Sequence, residues 1–299
     1  MKTLADQSTN KVNIVGKLLD ATFHTGKTGT GAPYERANLT IRVTQTFGGK
    51  EETSEIPVSM FATQFTKAGG ANPAYKNIQD LKKMKTAQTD GYDEADVVAM
   101  SGVSLDENTY VSQSGNLIDT WQLRGSFIRT GKLVDVASFS TDIFIMNLNP
   151  EMDREGDTTG RLIVRGAIVQ YGGRLDVIDF IAEAPDNVDY IERNWHEGDT
   201  VTVKGRIRVT SIEDCDSKSE SSWGEDIPET TTRYVRELII TKGDDQGKDE
   251  DFAYDPVEIK KGFNIRKAKI EQLQLDAKSK SKSDTKTSSA PAKPKYDWE

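Results

Sequence analysis

The stretch from Ala37 to Phe47 alternates strictly between apolar and polar residues. Its apolar positions are Leu39, Ile41 and Val43, and its polar positions are Asn38, Thr40, Arg42 and Thr44. A period of two predicts a strand with one buried face and one solvent face. Folding requires only the apolar face, so the polar face, which leads to Phe47, is a candidate for contact with a ligand.

The same kind of pattern predicts three strands, one helix and two further strands between residues 10 and 131. The helix prediction rests on Asn72 as the N-cap, Pro73 at the first helical position, and apolar residues at helical spacing after them. This order is that of the OB-fold, a five-stranded Greek-key barrel whose helix lies between strands 3 and 4.

The order recurs between residues 132 and 243, with a second helix in "PDNVDYIERNW". We therefore predict a mainly β protein made of two tandem OB-fold barrels, each with a helix between its third and fourth strands. A single larger β domain is the alternative.

Flanking segments differ in composition from the two predicted barrels. Residues 1–9 are a polar lead, and residues 244–299 form a tail that is first acidic and then low in complexity, which is typical of disorder. Within the tail, residues 259–278 fit a short amphipathic helix. Tyr296 and Trp298 near the end cannot serve a core of their own. They either bind a pocket on a protein partner or have no function.

Composition argues against several classes of protein. There is no long apolar run and no signal-peptide pattern, so we expect a soluble cytoplasmic protein without membrane contact. A single cysteine excludes an intrachain disulfide, and two histidines exclude a histidine-rich metal site. "ATFHTGKT" fits a relaxed phosphate-loop pattern, but the Gly and Pro residues after it oppose the helix that such a loop needs. We predict no catalytic residues, no cofactor and no metal.

The net charge of −9 is unevenly distributed. Residues 1–131 hold 14 basic and 14 acidic residues, whereas residues 132–243 hold 13 basic and 22 acidic. A polyanion would therefore meet least repulsion at the first predicted barrel, where local basic faces act within a Debye length.

Aromatic residues on the predicted barrel face suggest base stacking. Single-stranded nucleic acids are held by stacking bases on rings and by following phosphates with Lys and Arg. Phe47 follows strand 2, Phe61 lies on the outward parity of strand 3, and Tyr110 lies between strands 4 and 5. Each ring alone is more often a rim or core residue, but three around one barrel face favour a binding role.

The first predicted barrel resembles bacterial-type single-stranded DNA-binding proteins. The resemblance covers about residues 10–130 and rests on "NKVNIVGKL", "ANLTIRVTQTF", "TSEIPVSMFATQF", "VVAMSGVSL" and "NTYVSQSGNLIDTWQL". It implies that Phe47, Phe61 and Tyr110 stack on bases, whereas a fourth stacking position of the family falls on Glu55. The sequence character suggests a bacteriophage version.

Basic side chains near these rings are the candidates for phosphate contact. In the first predicted barrel they are Lys17, Arg42 and Lys27. In the second they are Lys204 and Arg206, and Phe180 occupies the position equivalent to Phe61. The second barrel either adds a DNA contact or is devoted to protein contacts.

Together these observations predict a sequence-independent single-stranded DNA-binding protein of replication, recombination and repair, located in the host cytoplasm if viral. The tail would recruit replication or recombination proteins. A structural or adaptor protein and an RNA-binding protein are the alternatives, and the sequence leaves the oligomeric state open.

Overall fold

The computed structural model describes residues 1–112, 114–132, 134–216, 229–244 and 251–284. Six strands precede residue 131: β1 Asn10–Lys27, β2 Pro33–Phe47, β3 Lys50–Thr63, β4 Val97–Val111, β5 Leu117–Gly125 and β6 Phe127–Thr130. Five follow it: β7 Val136–Met152, β8 Thr158–Val169, β9 Leu175–Ala182, β10 Thr200–Asp216 and β11 Glu229–Asp244. The helices are α1 Pro73–Leu81, α2 Ala87–Asp90, α3 Pro185–Asn194 and α4 Pro256–Asp284.

The first barrel is built from β1 to β5. Antiparallel pairs join β1 to β2, β2 to β3 and β4 to β5, a parallel pair joins β3 to β5, and β1 also pairs with β4, which closes the barrel. Alternation decides which face is inside, because Leu39, Ile41 and Val43 of β2 are buried while their polar neighbours face outward. The predicted helix is present as α1, where the Asn72 side chain accepts a hydrogen bond from the Ala74 N–H.

The second barrel repeats the arrangement with β7 to β11. Antiparallel pairs join β7 to β8, β8 to β9 and β10 to β11, a parallel bridge joins β9 to β11, and the pairing of β10 with β7 closes the barrel. The helix α3 lies between the third and fourth strands, as α1 does in the first barrel. The structure therefore confirms the prediction of two tandem OB-fold barrels.

The barrels are joined at several places, among them the pairing of β1 with β7 and the packing of the β2–β3 hairpin against β10. β1 pairs with β7 from Asn10↔Thr141 to Val15↔Val136, so all eleven strands form one continuous sheet. The tip of the β2–β3 hairpin also packs against β10, where the Val209 N–H donates to the Ser54 hydroxyl over 3.1 Å. The second contact occupies one end of the hairpin on which the first predicted ligand face lies.

A small second core lies outside the second barrel, where the N-terminal segment meets the start of α4. Tyr254 and Ile259 are buried there against Phe144 and Leu175. Burial raises the pKa of Tyr254 to about 12, and its hydroxyl donates to the Asp6 carbonyl over 2.6 Å. This core fixes the start of α4, which begins before and ends after the segment 259–278 that the sequence suggested.

Candidate nucleic-acid interface

The side chain of Phe61 forms an exposed aromatic platform on the outer face of the first barrel. It points outward because its neighbours Met60 and Ala62 fill the core, and 59% of its surface is accessible. The Tyr34 ring supports it at 5.2 Å between centroids. Gly26 makes room for Tyr34, because a Cβ at that position would lie 2.7 Å from the tyrosine hydroxyl. The platform is therefore held in place while its outer surface stays open.

A groove of about 520 Å³ extends from Phe61 across the outer face of the barrel. Its remaining lining includes Arg36 of β2, Ser59 of β3, Arg124 and Gln122 of β5, and Asn108 of β4. The register explains this grouping, because Arg36 pairs with Phe61 and Arg124 pairs with both Ser59 and Ser104. Residues far apart in the chain thus form one continuous polar strip beside an aromatic ring.

Tyr110 lies on the same outward parity of β4 as Asn108, and 46% of its surface is accessible. On β5, Tyr110 is paired with Ile118. Gly125 lies seven residues further along β5 and is paired with Met60, the neighbour of Phe61. At about 3.3 Å per residue, Phe61 and Tyr110 are separated by roughly 23 Å along the strip. The two rings therefore stand at opposite ends of one surface.

Two arginines of this strip are absent from the sequence-based candidates. Arg36 is exposed and makes no ion pair among the described residues, and Arg124 is exposed and contacts Asp106 at 3.0 Å. Arg36 continues the polar parity of Asn38, Thr40 and Arg42, so the alternation could have identified it. Arg124 becomes a neighbour of Ser59 only through the parallel pairing of β3 with β5, which the sequence does not reveal.

Phe47 is not part of this surface, contrary to the expectation that three rings share one face. Phe47 is the last residue of β2, and Arg36, which is paired with Phe61, lies eleven residues before it. Phe47 is therefore about 36 Å from the Phe61 position along the strand. Its half-buried ring is covered by the Arg206 guanidinium of the second barrel at 4.1 Å. The ring that the sequence assigned to base stacking is thus engaged in the contact between the barrels.

Arg42 and Lys17 are both engaged with other groups of the protein. The Arg42 guanidinium donates to Glu55 over 2.5 Å, and this hydrogen bond raises the pKa of Arg42 above its usual value. The Lys17 ammonium donates to the carbonyl oxygens of Tyr92 and Asp93 over 2.6 and 3.1 Å. Arg42 therefore binds the neighbouring strand β3, and Lys17 binds the loop at Tyr92 and Asp93. A phosphate would have to compete with these partners.

Lys27 is exposed at the end of β1, one register position beyond the pair of Gly26 with Tyr34. It makes no ion pair among the residues that the structure describes. Lys27 therefore lies at the Phe61 end of the surface and stays a candidate for phosphate contact.

The predicted contacts in the second barrel require corrections. Phe180 is 0% exposed and packs on Phe139 at 5.6 Å, so it cannot stack on a base. Phe180 lies on the inward parity of β9 and its neighbour Asp179 is the exposed one, so the assumed equivalence with the outward-facing Phe61 is wrong. Arg206 is buried between the carboxylates of Glu52 and Glu183. Lys204 is half-exposed and paired with Asp244 at 2.9 Å.

Other expectations concern metals, membranes and the tail. Tyr296 and Trp298 lie outside the described residues. Among the residues that are described, no three His, Cys, Asp or Glu side chains come together in a way that could hold a metal ion. No helix in that part of the chain is both long and apolar enough to cross a membrane.

Comparison with solved structures found single-stranded DNA-binding proteins at low identity. The wild-type protein of Thermus aquaticus is 13% identical with a TM-score of 0.49, over 80% of this chain and 94% of that chain. A deletion variant of it is 15% identical with a TM-score of 0.45, over 80% and 95%. A small protein of this kind from Streptomyces coelicolor is 12% identical with a TM-score of 0.26, over 41% and 95%. At these scores, the fold assignment rests on the strand pairing described above.

Comparison with curated proteins by sequence gave no match. A family model described as YorF matches residues 8–276, which include both barrels and most of α4. The chain therefore belongs to the YorF family.

Proposed function

We propose that this protein binds single-stranded DNA without sequence preference. Bases would stack on Phe61 and Tyr110, and phosphates would contact Arg36, Arg124 and Lys27. The observation that carries the proposal is the open ring of Phe61 beside Arg36, a cation without an ion-pair partner in the described part of the chain. An aromatic ring and a free cation on one strip supply the two contacts that unpaired nucleic acid needs.

The energetics fit binding without sequence readout. Each stacked base contributes roughly 1–3 kcal/mol whatever its identity, because every base has a π-face. The polar groups between the rings, such as Gln122 and Asn108, face an open groove rather than a closed pocket. A strand could therefore slide along the strip without matching its base edges to fixed donors and acceptors.

The proposed biological role extends from this binding mode. Covering exposed strands would serve replication, recombination and repair, with the tail recruiting further proteins, and no catalysis would be involved. Action in the host cytoplasm, with a bacteriophage as the source, completes the proposal and rests on the sequence resemblance of residues 10–130. We also propose that residues 10–131 and 132–243 are two domains with separate tasks.

The test is Phe61→Ala in the full-length chain, titrated with labelled oligo-dT at low salt and followed by fluorescence anisotropy. Loss of one stacked base should weaken affinity by about 1–3 kcal/mol. The matched control is Tyr171→Ala, since this ring is 85% exposed but lies in a turn of the second barrel. Equal affinities of both variants and the unaltered chain would reject the platform.

Parallel titration with oligo-rU separates DNA from RNA. Tighter binding of oligo-rU by the unaltered chain would favour the RNA-binding alternative, because the sugars differ in the 2′-hydroxyl. A folded chain that binds neither oligonucleotide at low salt would favour the adaptor alternative.

A further inference from the structure

The helix α4 bridges the two barrels. Its first turns are held on the second barrel, where Ile259 is buried and Phe263 packs against the same small core. Further along, the Arg266 guanidinium donates to Glu107 over 2.7 Å and to Asp119 over 3.1 Å, and both carboxylates belong to the first barrel. The helix is therefore fixed against the outer face of the β4–β5 hairpin.

Docked in this way, α4 forms the wall of a second groove, which has a volume of about 180 Å³. The floor of this groove includes Asn108, Gln122 and Arg124, which also line the groove that begins at Phe61. The wall on the helix side consists of Gly262, Ile265, Arg266, Lys269, Ile270 and Leu273. Because the floor is shared, the two grooves adjoin each other, and we call them together the channel from the Phe61 platform to α4.

The charge of α4 contrasts with that of the chain. Pro256–Asp284 holds eight basic and four acidic residues, a net charge of +4, within a protein of net charge −9. Lys269 is exposed, lines the groove and makes no ion pair among the described residues. Four arginines of the second barrel, in contrast, are paired with carboxylates: Arg161, Arg165, Arg206 and Arg208. Lys269 thus places a positive charge without an ion-pair partner among the described residues at the α4 side of the first barrel.

We propose that α4 is part of the nucleic-acid site, with Lys269 holding a phosphate and the exposed Ile265 packing against a base or sugar. The inference rests on the proposed function and extends it, because it assigns the path of the strand beyond the barrel. A wall fits the geometry better than a lid, since Phe61 remains 59% exposed with the helix docked.

The test compares Lys269→Glu with Lys260→Glu in the full-length chain. Both residues are exposed on α4 and change the net charge equally, but Lys260 does not line the groove. We expect Lys269→Glu to weaken oligo-dT binding several-fold more than Lys260→Glu. The slope of log K against log salt should also fall by about 0.7, because one phosphate is no longer neutralised. Unchanged melting temperatures would show that both variants are folded.

A third variant, Arg266→Gln, removes the anchor of the helix without reversing a charge in the channel. We expect it to lose affinity as Lys269→Glu does, because the wall is no longer held. If Lys269→Glu and Lys260→Glu bind equally while Phe61→Ala is weakened, the helix inference is wrong and the proposed function stands. Tighter binding by Arg266→Gln would make α4 a lid and also overturn the inference. No loss in Phe61→Ala would reject the proposed function itself.

Discussion

The two barrels share a fold but differ in the cross-strand pairs that their second and third strands expose. In the first barrel, Arg36 lies opposite Phe61, and the ring and the guanidinium are both exposed. In the second barrel, Arg165 lies opposite Asp179 and is bound by it through two hydrogen bonds of 2.8 and 3.2 Å. The Arg36–Phe61 pair is open to a ligand, whereas the Arg165 guanidinium already has Asp179 as its partner.

The arginines of β10 that meet the first barrel are likewise paired. Arg206 and Arg208 contact Glu52 of the first barrel as well as Glu183, and Arg208 also binds Glu237. These cations neutralise carboxylates at the contact between the barrels. The fold alone therefore does not determine binding; what differs is whether the cations already have partners.

Replacement of Arg206 should produce the largest effect and confine it to stability. In Arg206→Met, Glu52 and Glu183 lose a cation whose side chain is only 10% exposed, and Phe47 loses its cover. Breaking a buried ion pair costs about 3–5 kcal/mol, and at most the lower end applies because both carboxylates keep Arg208 as a partner and some contact with water. Chemical denaturation measures the free energy of unfolding, with Arg165→Met as the control, since exposed pairs contribute only about 0–1 kcal/mol.

Affinity for oligo-dT provides the second readout for the Arg206 variant. Measured well below its denaturation midpoint, Arg206→Met should bind as the unaltered chain does. Reduced affinity with intact stability would make Arg206 a phosphate-binding residue and end the distinction between the barrels.

Replacement of Arg36 should have an intermediate effect, which appears in the salt dependence. Arg36→Gln removes one cation that would neutralise a phosphate, so the slope of log K against log salt should fall by about 0.7. Arg165→Gln removes a cation on the second strand of the second barrel, which Asp179 already neutralises, and should leave the slope unchanged. Titrations with oligo-dT at four or more salt concentrations give both slopes. Equal slopes for the two variants would place DNA on both barrels or on neither arginine.

Much of the fold could be predicted from local patterns. Alternation in Ala37–Phe47 gave the buried face of β2, and Asn72 with Pro73 marked the start of α1. The outward parity of Phe61 was also predictable, because parity depends only on its neighbours in the strand. Local order along the chain was sufficient for these features.

The candidate binding surface was harder to predict, because its properties depend on distant partners. The ring of Phe47 fits the family pattern, but Arg206, 159 positions later, covers it. The pairing of Arg42 with Glu55 depends on the register of β2 with β3, and the contact of Arg266 with Glu107 joins the tail to the first barrel. No periodicity in the sequence encodes such contacts. Sequence patterns identify which cations face outward, whereas only the assembled fold shows which of them remain free.

The smallest expected effect is a pH dependence of the contact between α4 and the first barrel. Burial alone would raise the pKa of Glu107, but hydrogen bonds from Arg266, Thr109 and the Val177 N–H together hold it below its usual 4.5. A carboxyl with a lowered folded-state pKa stabilises the protein above its unfolded pKa, and this contribution is lost as pH falls through the folded value. Burial raises the pKa of Asp176, which therefore acts in the opposite direction, so the net pH curve of the unaltered chain is shallow.

Comparison with Glu107→Gln isolates the contribution of Glu107, because the variant lacks this titrating group but keeps Asp176. As pH falls from neutral through 4.5 and on through the lower folded-state pKa, the difference in unfolding free energy between the two chains should shrink. A constant difference over that range would mean that Arg266 does not hold an ionised Glu107, and the helix would then dock through Ile259 and Phe263 alone.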